Sequence, residues 1–272
     1  MKTWFITGTS RGFGREWALA ALDRGDRVVA TARNTDSLKD MVERFPDAIL
    51  ALPLDVTDRP AVFATVRRGF EHFGRLDVVV NNAGYGQFGM IEELSEAELR
   101  EQMETNLFGA LWVTQGALPL LRAQGSGHFL QVSSIGGISA FPNVGAYHAS
   151  KWGLEGFSQA LAAEVSGFGI HVTLIEPGGF STDWGGASAK HAQPMAAYDD
   201  VRAQSAAFRA ARTQTQGDPT ASARAVLKIV DAEQPPLRVF FGDGPLQLAV
   251  EDYEQRLATW REWEEVSIEA QG

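Results

Sequence analysis

The chain has 272 residues, 44% of them apolar, and a formal net charge of −10. That length can bury a full core, and the acidity argues against a nucleic-acid partner or an anionic membrane surface, both of which select basic patches. The sequence contains no cysteine, which excludes a disulfide framework, a thiolate zinc site and a thiol nucleophile.

Taken in chain order, the start from Met1 to Gly8 holds too short an apolar run for a signal peptide. No stretch approaches the roughly 20 apolar residues of a membrane span, so a cytoplasmic protein is expected. Trp4 to Thr7 reads as a strand leading through a Gly-rich turn into a helix that ends near Arg24-Gly25, and Arg27 to Ala32 is the second strand. Ile49 to Leu54 is a third, followed by Thr57 or Asp58 as the cap of a helix reaching Phe73. Leu76 to Val80 is a β-branched run suited to a central strand, and Ser95 with Glu98 forms a capping box for a long helix ending near Leu121. Gly127 to Ser133 is the fifth strand, Tyr147 to Val165 a helix stopped by Gly167 or Gly169, and Ile170 to Ile175 the sixth strand. Residues 183–216 carry little apolar content and read as a mobile helical lid. Ala221 to Glu233 is a helix, Leu237 to Phe241 the last strand, and Leu246 to Val266 a terminal helix with Tyr253, Leu257, Trp260 and Trp263 on one face. The alternation continues to the last strand without a linker. It predicts one α/β domain, residues 1–272, built on a Rossmann-type, doubly wound, mostly parallel seven-stranded sheet with helices on both faces.

The turn Thr7-Gly8-Thr9-Ser10-Arg11-Gly12-Phe13-Gly14 lies between strand and helix, where main-chain N–H groups and the helix dipole can hold a pyrophosphate. Its Gly-x3-Gly-x-Gly spacing differs from the common Gly-x-Gly-x2-Gly fingerprint, so a ligand-free turn of a βα unit stays open as an alternative. At the end of the second strand an acid would accept from a free ribose 2′-hydroxyl, but the sequence there is Thr31-Ala32-Arg33. Arg33, with Arg11, can instead pair with a 2′-phosphate, which predicts NADP(H); two solvated arginines are the plainer alternative.

Tyr147 and Lys151 stand four positions apart on a helix and therefore share a face. In a buried site the Lys151 ammonium should lower the phenol's pKa from about 10 toward the range useful for acid–base catalysis. The spacing alone is equally that of a tyrosine packed on a lysine stem. Ser133-Ser134 ends the preceding strand and brings hydroxyls to the same carboxyl edge of the sheet, where open α/β proteins bind ligands.

With these motifs in order, the chain resembles the short-chain dehydrogenase/reductase family over essentially its whole length. Asp55, with the adjoining Val56, corresponds to the family's adenine-contacting acid, Asn81-Asn82-Ala83-Gly84 to its Asn-Asn-Ala-Gly segment, and Asn106 to its helix asparagine. The family's serine stands thirteen positions before its tyrosine, which selects Ser134. Pro177-Gly178-Gly179-Phe180-Ser181-Thr182 resembles the Pro-Gly-x3-Thr segment, whose threonine orients the nicotinamide carboxamide, a role carried to Thr182. Phe13 replaces a commoner aliphatic residue. Within the family the chain is similar to 17β-hydroxysteroid dehydrogenase-like and carbonyl reductase members.

The resemblance implies a reductase of ketones or aldehydes in which Ser134 binds the substrate oxygen and Tyr147 donates its proton. Lys151 would stabilise tyrosinate and hold the nicotinamide ribose, and Asn106 would position a water toward Lys151. The cofactor contacts it implies are Gly8 to Gly14, Arg33, Asp55, Val56, Asn82 to Gly84, Tyr147, Lys151, Pro177, Gly178 and Thr182. It also implies a homodimer or homotetramer. No metal is expected, because His72, His128, His148, His171 and His191 lack paired ligand spacing.

Phe88, Met90, Phe141, Trp184, Met195 and Tyr198 are candidates to line an apolar substrate pocket. Trp260 and Trp263 could cap the core, form a subunit interface or close over substrate. An oxidative alcohol or hydroxysteroid dehydrogenase, and a non-catalytic NADP(H)-binding redox sensor, are the competing readings.

Overall fold

In the computed structural model, which describes residues 1–212 and 216–272, the expected alternation closes into one sheet of seven strands. The strands are β1 (Thr3–Thr7), β2 (Arg27–Ala32), β3 (Ile49–Pro53), β4 (Val78–Asn81), β6 (Gly127–Val132), β7 (Ile170–Pro177) and β9 (Arg238–Phe241). Their order is β3-β2-β1-β4-β6-β7-β9, and every pairing is parallel, so no antiparallel edge strand is present in this sheet. The order reverses between β1 and β4, and that switch point opens a crevice at the carboxyl ends of the strands.

Both faces are covered because alternate residues of each strand point to opposite sides. Trp4, Ile6, Val28 and Ala30 pack toward α1 (Gly12–Asp23) and α8 (Pro219–Asp231), whereas Phe5, Val29 and Val79 pack toward α3 (Arg59–Phe73), α5 (Gly109–Gln124) and α6 (Gly145–Val165). Buried indoles keep their donors satisfied: Trp4 Nε1 donates to Asp26 at 2.8 Å and Trp17 Nε1 to Ser222 at 2.8 Å, the second bond tying α1 to α8.

The helix starts follow their local chemistry. Asp58 caps α3 through a 3.0 Å bond from Ala61 N, while the Thr57 hydroxyl turns back to Asp55. Ser95 and Glu98 form the expected capping box at α4 (Glu96–Met103). The expected single helix to Leu121 is interrupted: a π turn over Glu104–Phe108 separates α4 from α5. α6 begins at Gly145, one half-turn earlier than expected, and the chain reverses at Gly169, whose φ of 69° suits glycine.

Two further short strands escaped the sequence reading, β5 (Gln87–Phe88) and β8 (Lys190–His191), which pair in parallel outside the main sheet. The expected lid is thus composite: two short 3-10 turns (Asp183–Gly185 and Ala196–Tyr198), β8 and α7 (Asp199–Arg212), with residues 213–215 of the expectation outside the described chain. Ion pairs fasten it to the segment after β5, through Arg202 with Glu93 at 3.0 Å and Lys190 with Glu101 at 2.5 Å.

The terminal helix is also divided, into α9 (Pro245–Glu262) and α10 (Glu264–Glu269), with the break at Trp263. Its aromatic face does not cap the core of this chain, since Trp260 is 61% and Trp263 58% exposed. No described helix is long and apolar enough to cross a membrane.

At the opposite end of the sheet from the crevice, His128 is buried and bonds Thr173 Oγ1 at 2.9 Å. Thr173 spends its own proton on Pro236 O at 2.7 Å, so His128 must be the donor and is neutral at Nδ1. Burial, aided by the charges of His171 and Lys2, lowers its pKa from 6.5 to about 3. A depressed histidine contributes stability above its unfolded pKa that is lost as pH falls through the folded one. About 4–5 kcal/mol should therefore disappear between pH 6.5 and about 3. His128→Gln is expected to move the acid-unfolding midpoint to lower pH in a circular-dichroism titration; an unchanged midpoint would refute the assignment.

Candidate active site

The crevice is a cleft of about 2070 Å³ running from the Gly-rich turn to β5 and the segment after β7. Its floor is made by backbone that side chains would fill. Gly8 and Gly12 adopt φ of 71° and 59°, and a Cβ on Gly14 would lie 2.5 Å from both Gly8 O and Asn82 Nδ2. Asn82 Nδ2 already donates to Thr7 O at 2.8 Å and Gly8 O at 3.1 Å, so the residue that follows β4 clamps the turn. An open, positively polarised turn of this shape fits the diphosphate of a dinucleotide.

Of the expected cofactor contacts, Gly8, Ser10, Arg11, Gly12, Phe13, Arg33, Asp55, Val56, Asn82, Ala83, Gly84, Tyr147, Lys151, Pro177, Gly178 and Thr182 line the cleft. Thr9 and Gly14 do not. Thr9 is fully buried, and its N–H and hydroxyl both donate to Thr31 O, at 3.0 and 3.1 Å, which pins the turn to β2. Gly14 serves as the space into which Gly8 and Asn82 close. Arg33 lines the cleft and makes no ion pair with any described residue, whereas Arg11 is held by Asp183 at 2.7 Å.

At the other end, Ser134, Tyr147 and Lys151 come together. Ser134 caps the 3-10 turn Ile135–Gly137, accepting from Gly136 N at 3.0 Å, and its hydroxyl stands beside the Tyr147 phenol, where it favours the ionised form. Lys151 is buried and donates from Nζ to Val132 O at 2.7 Å, with Nζ 5.7 Å from the Tyr147 ring centroid. The expected depression of the Tyr147 pKa is not found. Burial pushes the phenol up to about 12, with the nearby Ser134 hydroxyl opposing, and burial lowers Lys151 to about 8 against the pull of Glu155. The reason is that both groups are dry, and Lys151 spends its bond on a main-chain carbonyl and not on the phenol.

Asn106 sits in the π turn beneath the cleft and does not line it. Its Nδ2 donates to Tyr85 O at 3.0 Å and Ser150 Oγ at 3.3 Å, and its Oδ1 accepts from Tyr85 N at 3.1 Å. Both amide hydrogens are committed, so the expected water cannot be held by donation from this side chain. The π turn itself had no signature in the sequence.

The His148 ring acts as a clamp. Nε2 accepts from Phe141 N at 2.9 Å, which leaves Nδ1 as the donor to Gly136 O at 2.8 Å. Burial lowers its pKa and so favours this neutral tautomer. The ring thus braces the turn carrying Ser134.

Of the expected pocket residues, Phe88, Phe141 and Trp184 line the cleft. Met90 is buried, and Tyr198 binds Glu92 at 2.5 Å on the rim; neither Tyr198 nor Met195 is part of the lining. Trp184 leans on Tyr147 with ring centroids 4.8 Å apart and on Phe88 at 5.4 Å, giving the tyrosine an aromatic roof.

A sequence model of the family described as short chain dehydrogenase matches residues 2–193. The chain is 41% identical over 272 residues to the oxidoreductase BOA17 of Botryotinia fuckeliana, covering 98% of each. Among solved structures, a short-chain dehydrogenase from Streptomyces avermitilis superposes with a TM-score of 0.91 at 39% identity, covering 99% of this chain and 100% of that one. An alcohol dehydrogenase from the archaeon Thermococcus sibiricus, complexed with 5-hydroxy-NADP, gives a TM-score of 0.74 at 26% identity over 89% of this chain and 96% of that one. With the Rossmann-like sheet and this cleft, these likenesses identify the chain as a member of the short-chain dehydrogenase family, oxidoreductases acting between CH–OH and C=O groups.

Proposed function

We propose that the protein is an NADP(H)-dependent reductase that converts an apolar ketone or aldehyde to its alcohol, with Ser134, Tyr147, Lys151 and Asn106 as its catalytic group. The observation that carries this reading is that Ser134, the buried Tyr147 and the buried Lys151 line one end of a cleft whose other end is the glycine turn.

Bound nicotinamide would supply the hydride; the chain's own groups handle the oxygen and its proton. Ser134 donates a hydrogen bond to the carbonyl oxygen and polarises it. Tyr147, protonated throughout the neutral range because burial raises its pKa to about 12, donates the proton that the nascent alkoxide takes. Lys151 faces the resulting phenolate, and its charge is worth most there because the site is dry. Asn106 anchors Tyr85 and the loop leading from Gly84, so its part in a proton path would run through the main chain of the π turn.

Two features support the choice of cofactor and substrate. Arg33, free of ion pairs with described residues, lines the cleft at the end of β2 where no acid stands, as a 2′-phosphate requires. Trp184 packs on Tyr147 and Phe88 packs on Trp184, and with Phe141 in the same lining they offer mainly aromatic surface to the substrate. The relative from Thermococcus sibiricus, whose structure carries 5-hydroxy-NADP, supports the same cofactor class.

A panel of carbonyl compounds assayed with NADPH tests the reading, with turnover expected for aryl and cycloalkyl ketones or aldehydes. Turnover confined to small hydrophilic sugars would overturn the apolar pocket. Arg33→Asp removes a charge-assisted bond of about 1.5–3 kcal/mol, so NADPH affinity should fall about 10–100-fold and NADH should become preferred. Unchanged selectivity in that variant, measured as the ratio of kcat/KM for the two cofactors, would remove Arg33 from the site.

A further inference from the structure

Beneath Ser134 and Lys151 lies a group that the proposed reaction leaves unused. Glu155, on α6 one turn beyond Lys151, is 5% exposed, and Glu176, near the end of β7, is fully buried. A single guanidinium serves both: Arg238 Nε on β9 stands 2.9 Å from Glu155 Oε2 and 3.5 Å from Glu176 Oε1. Its Nη2 donates to Gln159 Oε1 at 2.9 Å. The remaining oxygen of Glu155, both oxygens of Glu176 and the Ser133 hydroxyl find no partner outside this group.

One guanidinium cannot neutralise two dry carboxylates held on its Nε, and two like charges gathered on one nitrogen do not both persist without water. A proton placed between them turns repulsion into a strong O–H···O bond and leaves one negative charge. That residual charge has a second neighbour. Lys151 carries its ammonium into the same dry region with only the Val132 carbonyl as hydrogen-bond partner, and Glu155 lies at i+4 on its helix face.

The group also touches the turn that carries Ser134. A Cβ built on Gly137 would stand 2.6 Å from Ser133 Oγ and 3.2 Å from Glu155 Oε1, so main chain packs directly on Glu155. The charged groups that face them are Lys151 from α6 and Arg238 from β9, and the residue after β6 contributes the neutral Ser133.

We propose that Glu155 and Glu176 hold one shared proton at neutral pH, and that the single charge of this pair is the counter-ion that keeps Lys151 protonated. The pair positions without touching substrate or cofactor, and the role for Lys151 rests on the reading of the active site given above. Burial raises both carboxyls, Glu176 to about 8, and the Glu155 charge opposes the fall of Lys151.

Two measurements test it without requiring turnover. In infrared spectra at pH 7, the wild-type chain should show the C=O stretch of a protonated carboxylic acid that shifts on 13C-glutamate labelling and vanishes in Glu176→Gln. Absence of that band from the wild type, which needs no variant to fold, would overturn the shared proton. In chain labelled with 15N-lysine and assigned through Lys151→Arg, Glu155→Gln should lower the Lys151 pKa by about one unit. Glu176→Gln, which keeps one charge on Glu155, should leave it within about 0.3 unit. An unshifted Lys151 in a folded Glu155→Gln chain would overturn the counter-ion role. If no carbonyl compound is reduced at all, the proposed function fails, and the band and the titration still judge the pair.

Discussion

Tyr147→Phe should lower carbonyl reduction by about 10²–10⁴-fold while leaving NADPH bound within a few-fold of its normal affinity. The substitution removes one oxygen and keeps the ring, so the contact with Trp184 at 4.8 Å and the packing of a 7% exposed side chain persist. What is lost is a buried hydroxyl beside Ser134 that carries its proton into the alkaline range, with its pKa pushed up to about 12. Water does not replace it easily, because the site that raises the phenol's pKa by burial excludes water for the same reason. Fluorescence titration with NADPH and single-turnover assays separate binding from chemistry. Near-normal turnover would transfer the proton to another group and overturn the mechanism.

Gly14→Ala is expected to weaken NADPH binding by about 100-fold or more and to cost about 1–3 kcal/mol of stability. The new methyl would arrive 2.5 Å from Gly8 O and from Asn82 Nδ2, atoms already bonded to each other at 3.1 Å. Neither is the free end of a flexible chain: one is backbone and the other holds Thr7 O at 2.8 Å as well. The N-terminus of α1 must therefore lift from β1, which spoils the N–H cradle that Gly8 and Gly12 shape by their positive φ. Gly156→Ala is the contrasting case, a helical glycine with nothing within 4 Å of the added carbon, and should raise stability by about 0.5–1 kcal/mol. Thermal denaturation distinguishes the two, and a Gly14→Ala chain that binds NADPH normally would place the diphosphate elsewhere.

Much of the site's outline was readable because it is written in short-range terms. Strand and helix order followed from alternation and from caps such as Ser95 with Glu98, whose partners lie three residues apart. The glycine turn, Arg33 at a strand end, and Ser134, Tyr147 and Lys151 were placed at one sheet edge by a topology rule that needs only the βα order. Thr9 and Gly14 show its limit: both belong to the motif, yet one is tied to Thr31 and the other is the gap that lets Asn82 close.

The sequence by itself determined the parallel α/β architecture, the cleft's location and the residue types at its edge, since each depends on periodicity or spacing within one or two elements. Only the tertiary structure decided how those residues behave. Burial reversed the expected shift of Tyr147, because desolvation is set by everything packed around a group and not by its neighbour at i+4. The π turn that buries Asn106, the His148 brace, the Trp184 roof and the meeting of Glu155, Glu176 and Arg238 all join residues from separate parts of the chain. Such contacts carry no periodicity, and so their chemistry becomes legible only once the sheet has brought them together.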